Sequence, residues 1–551
     1  MILSKYFTKF LLISLLITLI ALPAFSSQEN PDGCTDIVLG KNVTPDGSIV
    51  TSHTCDGAYD SRVNIIPAAD HTPGTMAPVY KGIIRAYPQF PKDHPYLRNY
   101  APMEQLGEIP EVEHTYKIFS IAYPFANEHQ VIIGETTLGN ETECSPNLDE
   151  AIMYIEQLEI FGLQRAKTAR ECIEVMGSLA EEYGYADRGE CLTVTDPNEA
   201  WVFEIYAVGP FWTKDSGQPG AVWAAQRVPD DHITCVPNMS RIQEIDPTDT
   251  ENFIVSDNYM DAAIELGLYD PDSGNPFIWN FAYSNAKNKG WGNWLRAWRV
   301  YSLLAPSGNW KMEHAAYYPF SVKAEKKTSF QDVIAMFRDS YQGTPYDMTE
   351  DPDWYVKATS GPEAGNWVKS SLATPQVPGY WQALLDITFC RPISRYGCSY
   401  YFVSQTRDWL PNEIGGVLWF GLDNPENGVF VPLYVGVDEV PESWKILDRT
   451  KFDRNSAWWA FAAVDDQVNH LYGHIKPMLD EVLMPLQQEM YDKQESIEKE
   501  ALELYQKDPA EARKYLTEYT GSLMKNTEST YWGLFEKFLF ELNNNTIRIV
   551  Y

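Results

Sequence analysis

Cys34 is the residue of this sequence whose position most clearly indicates chemistry. It opens a strand-like run, Cys-Thr-Asp-Ile-Val-Leu-Gly (34–40), and follows directly on Gly33. A cysteine at the N-terminus of a mature chain carries its own general base, because an α-amine titrates near ~7.7–8.0 and a lysine side chain near ~10.4. We therefore interpret Cys34 as a candidate nucleophile. The alternative is a buried or disulfide-bonded cysteine, which is the commoner state of a thiol in an exported protein.

The residues after Cys34 predict the element that positions it. A Pro-Asp-Gly turn at 45–47 leads into a second apolar run, Ser-Ile-Val-Thr (48–51), which ends at His53-Thr54-Cys55-Asp56-Gly57. Two strand-like runs joined through a turn signal of this kind predict a hairpin over residues 34–57. His53 and Asp56 would then lie near Cys34.

The N-terminal residues have the pattern of an export signal. Lys5 and Lys9 precede an apolar run over residues 10–22, and Ala24-Phe25-Ser26 offers small residues for a signal peptidase. We predict a signal peptide over 1–26 and a propeptide over 27–33. The protein is then periplasmic or secreted, with no membrane span after signal removal, because no later stretch is apolar for about 18 residues.

Composition excludes several classes of function. The chain has 551 residues, a formal net charge of −33 and 13% aromatic residues, and no run of Lys and Arg that would bind nucleic acid. The eight cysteines include no Cys-x-x-Cys pair, so a structural metal site is not expected. No glycine-rich phosphate loop is present, and we expect no cofactor. Cys390 and Cys398 are the most plausible local disulfide.

Hydrophobic periodicity predicts α+β layers and not a strictly alternating α/β fold. Strands are expected at 131–135, 201–205, 221–225 and within 398–437, and helices at 149–184, 329–341 and 458–542. The Asp508-Pro509 step predicts a break or a new helix start in the last of these segments. We expect this C-terminal segment to pack on the body of its own chain; the alternative is a partner-binding arm.

Several motifs together resemble the dipeptidase A and secernin-like cysteine hydrolases of the N-terminal-nucleophile (Ntn) superfamily. The most specific string is Arg-Asp-Ser-Tyr-Gln-Gly-Thr-Pro-Tyr-Asp at 338–347. The other matches are the opening Cys-Thr at 34–35, the Asp-Gly-Ser turn at 46–48, Asn-Glu-His-Gln-Val at 127–131, Arg-Val-Pro-Asp-Asp at 227–231, Pro-Asn-Met-Ser-Arg-Ile at 237–242 and Leu-Arg-Ala-Trp at 295–298.

The resemblance implies an Ntn-hydrolase αββα sandwich over residues 34–475 with large insertions, followed by a C-terminal helical extension over 476–551. It implies hydrolysis of dipeptides or short peptides without a metal. Cys34 would be the nucleophile, and Asp56 would hold its α-amine by a charge-assisted hydrogen bond. Asn238 would donate to the oxyanion, and Arg296 would lie near the nucleophile.

The family pattern Arg-x-x-Asp departs at His53, which occupies the Arg position. An imidazole near ~6.5 is mostly neutral at pH 7, so support of a Cys34 thiolate would depend on pH. Three alternatives remain open at this level. His53 can be a packed strand residue with another cation in its role, Asn238 a turn residue after Pro237, and Arg296 an ordinary surface or ion-pair residue.

The sequence therefore predicts an exported cysteine dipeptidase that exposes Cys34 by cleaving its own Gly33–Cys34 bond. Two alternatives share the fold: an Ntn amidase acting on N-acyl amino acids or bile-acid conjugates, and a non-catalytic binding protein. The expected partners are short peptides and not nucleic acid, and a homo-oligomer is possible.

Overall fold

The structure is a computed structural model that describes residues 33–81, 104–284 and 290–543. The predicted signal peptide and the propeptide up to Asp32 lie outside these residues. Gly33 and the Gly33–Cys34 peptide bond lie inside them.

Strands make up much of the first part of the described chain. In chain order, β1 to β21 are Gly33–Leu39, Ser52–Asp56, Asn64–Ile66, Ala69–Asp70, Met76–Lys81, Glu104–Pro110, His114–Thr115, Ile118–Ser120, Ala126–Asn127, Ile132–Thr137, Glu190–Thr195, Ala200–Tyr206, Val222–Arg227, His232–Val236, Phe253–Val255, Val322–Lys323, Tyr355–Lys357, Trp367–Lys369, Cys398–Gln405, Val417–Leu422 and Val431–Tyr434.

Two large antiparallel sheets contain most of these strands. Sheet one has seven strands in the order β16-β14-β1-β2-β19-β20-β21, and sheet two has eight in the order β15-β13-β12-β11-β10-β9-β8-β3. The sheets face each other, with β1 and β2 packed on β10. Strand β1, in which Cys34 is the second residue, therefore lies in the interior of sheet one and against sheet two.

Helices cover the other side of each sheet. In chain order, α1 to α11 are Ile155–Arg165, Ala169–Tyr183, Asp261–Glu265, Trp279–Tyr283, Trp291–Leu304, Phe330–Phe337, Gly379–Leu385, Asn412–Gly415, Ala457–His470, Tyr472–Tyr505 and Pro509–Asn543. On sheet two, α2 packs against β11, β12 and β13; on sheet one, α5 packs against β14, α9 against β20 and α11 against β21. The fold is thus a mixed α and β structure with several sheets.

A glycine in β10 lets the two sheets approach closely beside Cys34. A Cβ on Gly134 would lie 2.7 Å from Oδ2 of Asp36 and 2.7 Å from Oγ1 of Thr193. Any side chain at residue 134 would push β10 away from β1. The missing Cβ keeps the neighbouring Glu135 within reach of Cys34.

The C-terminal helices α9, α10 and α11 pack on one another and on sheet one. Arg407, just after β19, forms an ion pair with Glu498 of α10 with 2.7 Å between Nη1 and Oε2. Gln487 of α10 exchanges two hydrogen bonds, of 2.8 and 3.0 Å, with the main chain of Phe430. These contacts place the described part of this segment, residues 476–543, against the body of the chain.

The predicted hairpin over 34–57 is confirmed, because β1 and β2 pair antiparallel. The predicted strands at 201–205 and 221–225 are confirmed as β12 and β13, which pair with each other. The predicted break at Asp508-Pro509 is also confirmed, since α11 begins at Pro509. Among the described residues, no helix is both long and apolar enough to cross a membrane.

The predicted Cys390–Cys398 disulfide is wrong. Cys398 is a free, buried thiol whose Sγ donates to the carbonyl oxygen of Tyr400 at 3.1 Å. Short separation in sequence suggested the pair, but Cys398 belongs to the buried strand β19, where the main chain already supplies its hydrogen-bond partner.

Candidate active site

The pairing of β1 with β2 divides the site into two faces. Cys34 lies directly opposite Cys55, and Gly33 lies opposite Asp56. Because successive side chains of a strand point to opposite sides, the pair carries two distinct sets of side chains. The thiol face, turned toward sheet two, bears Cys34, Asp36, His53 and Cys55. The guanidinium face, turned toward α5, bears Thr35, Thr54 and Asp56.

The Cys34 thiol meets acceptors on sheet two and on β2. Its Sγ lies 3.5 Å from Oε2 of Glu135, to which it donates, and it also forms a hydrogen bond with Cys55. Burial is the largest cause that raises the pKa of Cys34 well above its ordinary value, and the Cys55 hydrogen bond and the charge of Glu135 add to it. While Cys34 is still joined to Gly33, its side chain is therefore a protonated thiol.

Cys55 links the candidate nucleophile to the imidazole. The Sγ atoms of Cys34 and Cys55 and a ring nitrogen of His53 all lie within 4.8 Å of one another. Burial opposes ionisation of Cys55, but hydrogen bonds with Cys34 and His53 lower its pKa. Among the described residues, these three side chains are the set close enough together to hold a metal ion.

The two ring nitrogens of His53 have different surroundings. Nδ1 lies 3.1 Å from Oδ1 of Asp36 and 3.3 Å from the main-chain nitrogen of Glu135, whose N–H points at it. Nε2 is buried without a hydrogen-bond partner among the described residues. The ring packs against Tyr400 and Phe402, with centroids 5.5 and 5.7 Å away. Burial opposes the charged ring, yet hydrogen bonds with Asp36 and Cys55 hold the pKa of His53 well above its ordinary value. Burial also raises the pKa of Asp36 to about 7.

Asn238 holds the main-chain nitrogen of Cys34. The N–H of Cys34 donates to Oδ1 of Asn238 at 2.8 Å, and Nδ2 of Asn238 donates to the carbonyl oxygen of Thr137 at 2.9 Å. Asn238 has a φ of 56°, a left-handed conformation that asparagine tolerates better than most residues. The side-chain oxygen of Asn238 thus faces the main-chain nitrogen of Cys34, while its amide nitrogen is hydrogen-bonded to β10.

Arg296 of α5 is buried against the main chain around Cys34 and not against its thiol. Its guanidinium donates to the carbonyl oxygen of Cys34, to Oγ1 of Thr35 at 2.8 Å and to Oδ1 of Asn238 at 3.1 Å. It also donates to the carbonyl oxygen of Pro237 at 3.0 Å. Burial, together with the nearby charge of Arg391, lowers the pKa of Arg296 to about 9. Arg296 therefore positions the main chain at Cys34, the candidate nucleophile.

Asp56 lies opposite Gly33 and is paired with Arg391. Nη2 of Arg391 donates to Oδ2 of Asp56, and both side chains are buried. The other oxygen, Oδ1 of Asp56, is buried and has no hydrogen-bond partner among the described residues. A buried carboxylate oxygen without a partner among the described residues is thus carried by the residue opposite Gly33.

The structure brings all five predicted residues, Cys34, His53, Asp56, Asn238 and Arg296, to this strand pair. It adds three that the sequence analysis did not select: Cys55, Glu135 and Arg391. Cys55 could have been found from strand alternation, because it is two residues from His53. Glu135 and Arg391 carry no local signal, since they lie 101 residues from Cys34 and 335 residues from Asp56.

Comparison with known proteins gives a family match over most of the chain. The sequence profile of peptidase family C69 matches residues 33–483. This range includes β1, β2 and every side chain of the site. It confirms the resemblance inferred from the motifs.

Several proteins named dipeptidase or probable dipeptidase align with the chain over most of both lengths. "Dipeptidase A" of Lactobacillus helveticus is 25% identical over 459 residues, which is 81% of this chain and 85% of the relative. "Probable dipeptidase" of Latilactobacillus sakei is 24% identical over 447 residues, 80% and 82% of the two chains. "Probable dipeptidase B" of Streptococcus pyogenes serotype M1 is 22% identical over 509 residues, 89% and 90%.

Proposed function

We propose that this chain, which belongs to peptidase family C69, is an exported cysteine dipeptidase with Cys34 as its nucleophile. The names of the aligned relatives support dipeptides as substrates. The observation that carries the proposal is the position of Cys34 at the start of β1. There Asn238 holds its nitrogen, and the open oxygen of Asp56 lies across the strand from Gly33.

The fold we propose for this activity is the αββα sandwich of the Ntn hydrolases. Its support is the order of layers: helix α2 on sheet two, sheet two on sheet one, and helices α5, α9 and α11 on sheet one. A nucleophile at the start of a central strand, between the sheets, suits that architecture. The extension after residue 476 then belongs to the outer helical layer of sheet one.

Maturation would begin with attack of the Cys34 Sγ on the carbonyl carbon of Gly33. The thiol proton passes to the acceptors of the thiol face, the carbon–nitrogen bond breaks, and the Cys34 nitrogen takes up a proton as it becomes an amine. Gly33 is then held as a thioester, which water hydrolyses to a free carboxylate. Glycine fits this position because a Cβ at Gly33 would lie 3.1 Å from Oδ1 of Asn238 and 3.2 Å from Nη2 of Arg391.

The new α-amine would have two acceptors in place. Oδ1 of Asn238 is 2.8 Å from the Cys34 nitrogen, and Oδ1 of Asp56 is buried without a partner among the described residues. A buried carboxylate oxygen that lacks a hydrogen bond is costly, and the ammonium group supplies one. Held in this way, the amine can act as general base when Cys34 attacks the peptide bond of a substrate.

The test is the N-terminus of the mature protein, read by intact mass together with hydrolysis of a dipeptide panel. We expect the parent chain to begin at Cys34 and to cleave dipeptides faster than N-acyl amino acids. Cys34→Ala should keep the Gly33–Cys34 bond and lose activity by about 10⁴-fold or more. Cys144→Ser, which alters a buried thiol outside the site, should mature and turn over like the parent. An active parent chain that still begins upstream of Cys34 would overturn the proposal.

A further inference from the structure

The thiol face contains the donor atoms of a metal site that the spacing of residues in the sequence does not reveal. Sequence patterns for zinc rely on ligands a few residues apart in one loop or helix. Here Cys34 comes from β1, and His53 and Cys55 come from β2. Strand pairing therefore assembles the ligands, and the Sγ atoms and ring nitrogen lie within 4.8 Å of one another.

We propose that Cys34, Cys55 and His53 form a site for a thiophilic divalent cation, Zn²⁺ in particular. Two thiolates and an imidazole, with the fourth position open to water, form a known tetrahedral ligand set for Zn²⁺. Bonds of about 2.0 to 2.3 Å place tetrahedral ligand atoms about 3.3 to 3.8 Å apart. Because the three atoms already lie within 4.8 Å of one another, they need to close by no more than about 1.5 Å.

The orientation of His53 is the observation that points to a ligand. Nε2 is buried and has no hydrogen-bond partner among the described residues. Nδ1 lies 3.1 Å from a carboxylate oxygen of Asp36 and 3.3 Å from the main-chain nitrogen of Glu135. A metal-bound histidine usually has its second ring nitrogen held by a carboxylate. Coordination through Nε2 requires the tautomer in which Nδ1 carries the proton and donates to Asp36, so Asp36 is the outer partner of this ligand.

Binding has a defined proton balance. The Cys34 and Cys55 thiols each lose one proton to solvent as a sulfur–metal bond forms, and His53 binds in its neutral form. The coordinated Cys34 sulfur is no longer free to attack a carbonyl. On the proposed function, Zn²⁺ is therefore a reversible inhibitor of this enzyme and not its cofactor, and chelators should restore activity.

The experiment measures binding without substrate. The reduced, metal-free, full-length protein is titrated with Cd²⁺ under argon, and the ultraviolet charge-transfer absorption of cadmium thiolates is recorded. We expect one Cd²⁺ per chain with an absorption typical of two thiolates. Cys55→Ser should halve that absorption and weaken binding at least tenfold, and Cys144→Ser should titrate like the parent. His53→Ala should weaken binding and keep the two-thiolate absorption.

Asp36→Asn tests whether Asp36 is an outer hydrogen-bond partner of His53 and not itself a metal ligand. It should weaken Cd²⁺ binding by about 10- to 100-fold while the full charge-transfer absorption is still reached at saturation. Circular dichroism of each variant shows whether it is folded, and the Cys55→Ser result decides if His53→Ala does not fold. A folded parent that binds no Cd²⁺, or a Cys55→Ser variant that binds as tightly as the parent, overturns the site.

The metal site and the proposed function can be refuted independently of each other. A parent that binds Cd²⁺ through two thiolates but hydrolyses no dipeptide keeps the metal site and refutes the proposed function. A parent that hydrolyses dipeptides, with equal Zn²⁺ inhibition in the parent and in Cys55→Ser, refutes the metal site and keeps the proposed function.

Discussion

The two faces of the β1–β2 strand pair bear different chemical groups, and they contact different parts of Cys34. On the guanidinium face, Arg296 and Arg391 donate to main-chain oxygens, to Thr35 and to Asp56. On the thiol face, the Cys34 sulfur meets Cys55 and Glu135. Among the described residues, the partners of these two arginines do not include the Cys34 thiol.

The difference teaches where guanidinium groups are used in this site. Two arginines contact the backbone of Cys34 and the carboxylate that would hold its amine. The sulfur itself is served by groups that can gain or lose a proton, namely Cys55, His53 and Glu135. Position 53, where the resemblance to the family implies an arginine, lies on this second face. The histidine found there can gain or lose a proton close to the sulfur.

Removing Arg391 tests the guanidinium face most severely. Arg391→Met leaves Asp56 buried without its cation, and breaking a buried ion pair from one side typically costs about 3–5 kcal/mol of folding free energy. We expect a loss of that order in urea unfolding of Arg391→Met. The double variant Asp56→Asn/Arg391→Met should recover much of the lost stability, because no charge is then left unpaired.

An exposed ion pair provides the matched control. Lys493 and Glu489 pair on the surface of α10 with side chains that are 53% and 58% exposed, so Lys493→Met should cost less than about 1 kcal/mol. If Arg391→Met is as stable as Lys493→Met, then water reaches Asp56 and the Asp56–Arg391 ion pair is not buried as described above.

Arg296 is expected to act on rate more than on stability. Arg296→Gln removes the donors to the carbonyl oxygen of Cys34 and to Asn238, so Cys34 and Asn238 lose their relative position. We expect kcat/KM on a dipeptide to fall by about 10²–10³, comparable to the loss of one well-placed donor in a catalytic site. Arg296→Lys should not restore it, because an ammonium cannot reproduce the planar fork.

Arg299 lies on the same helix as Arg296. It provides a control for the loss of a positive charge from α5. It forms a bidentate pair with Asp339, with donor–acceptor distances of 2.7 and 2.9 Å to Oδ2. Arg299→Gln also removes a guanidinium from α5, but it should keep kcat within about threefold of the parent. Equal losses of kcat in Arg296→Gln and Arg299→Gln would indicate that α5 as a whole, and not the Arg296 contacts, supports the site.

The strands that carry the site could be predicted from the sequence. The residues from distant segments that contact these strands could not. The Pro-Asp-Gly turn and two strand-like runs sufficed for the hairpin, and strand alternation then places Cys55 beside His53. Glu135 reaches Cys34 only because Gly134 allows the sheets to approach, which is a property of tertiary packing. Arg391 reaches Asp56 from a distant segment. The wrong Cys390–Cys398 disulfide has the same cause, since proximity in sequence does not fix side-chain direction.

Substitution of His53 tests the thiol face, and it is expected to have the smallest effect on dipeptidase activity. Its pKa is held well above the ordinary value by hydrogen bonds with Asp36 and Cys55, which outweigh burial. A raised pKa means that the imidazolium is present below that pKa and is lost as pH rises through it. If its charge supports the Cys34 thiolate, dipeptidase activity should fall along an alkaline limb. The α-amine acts in the opposite direction, because it becomes a base as pH rises.

The two limbs can be separated by variants at this position. His53→Gln keeps a donor for Asp36 but does not titrate, so it should remove the alkaline limb and leave the limb of the α-amine. His53→Ala should lower kcat/KM at least tenfold, about 1.4 kcal/mol of transition-state stabilisation.

His129→Gln, at a histidine that packs on Tyr116 with ring centroids 4.4 Å apart, should keep the parent profile. If His53→Ala matches the parent from pH 5 to 9, the imidazole is a packed strand residue. The thiolate must then rely on Cys55 and the α-amine, because Arg296 contacts the other face of the strand.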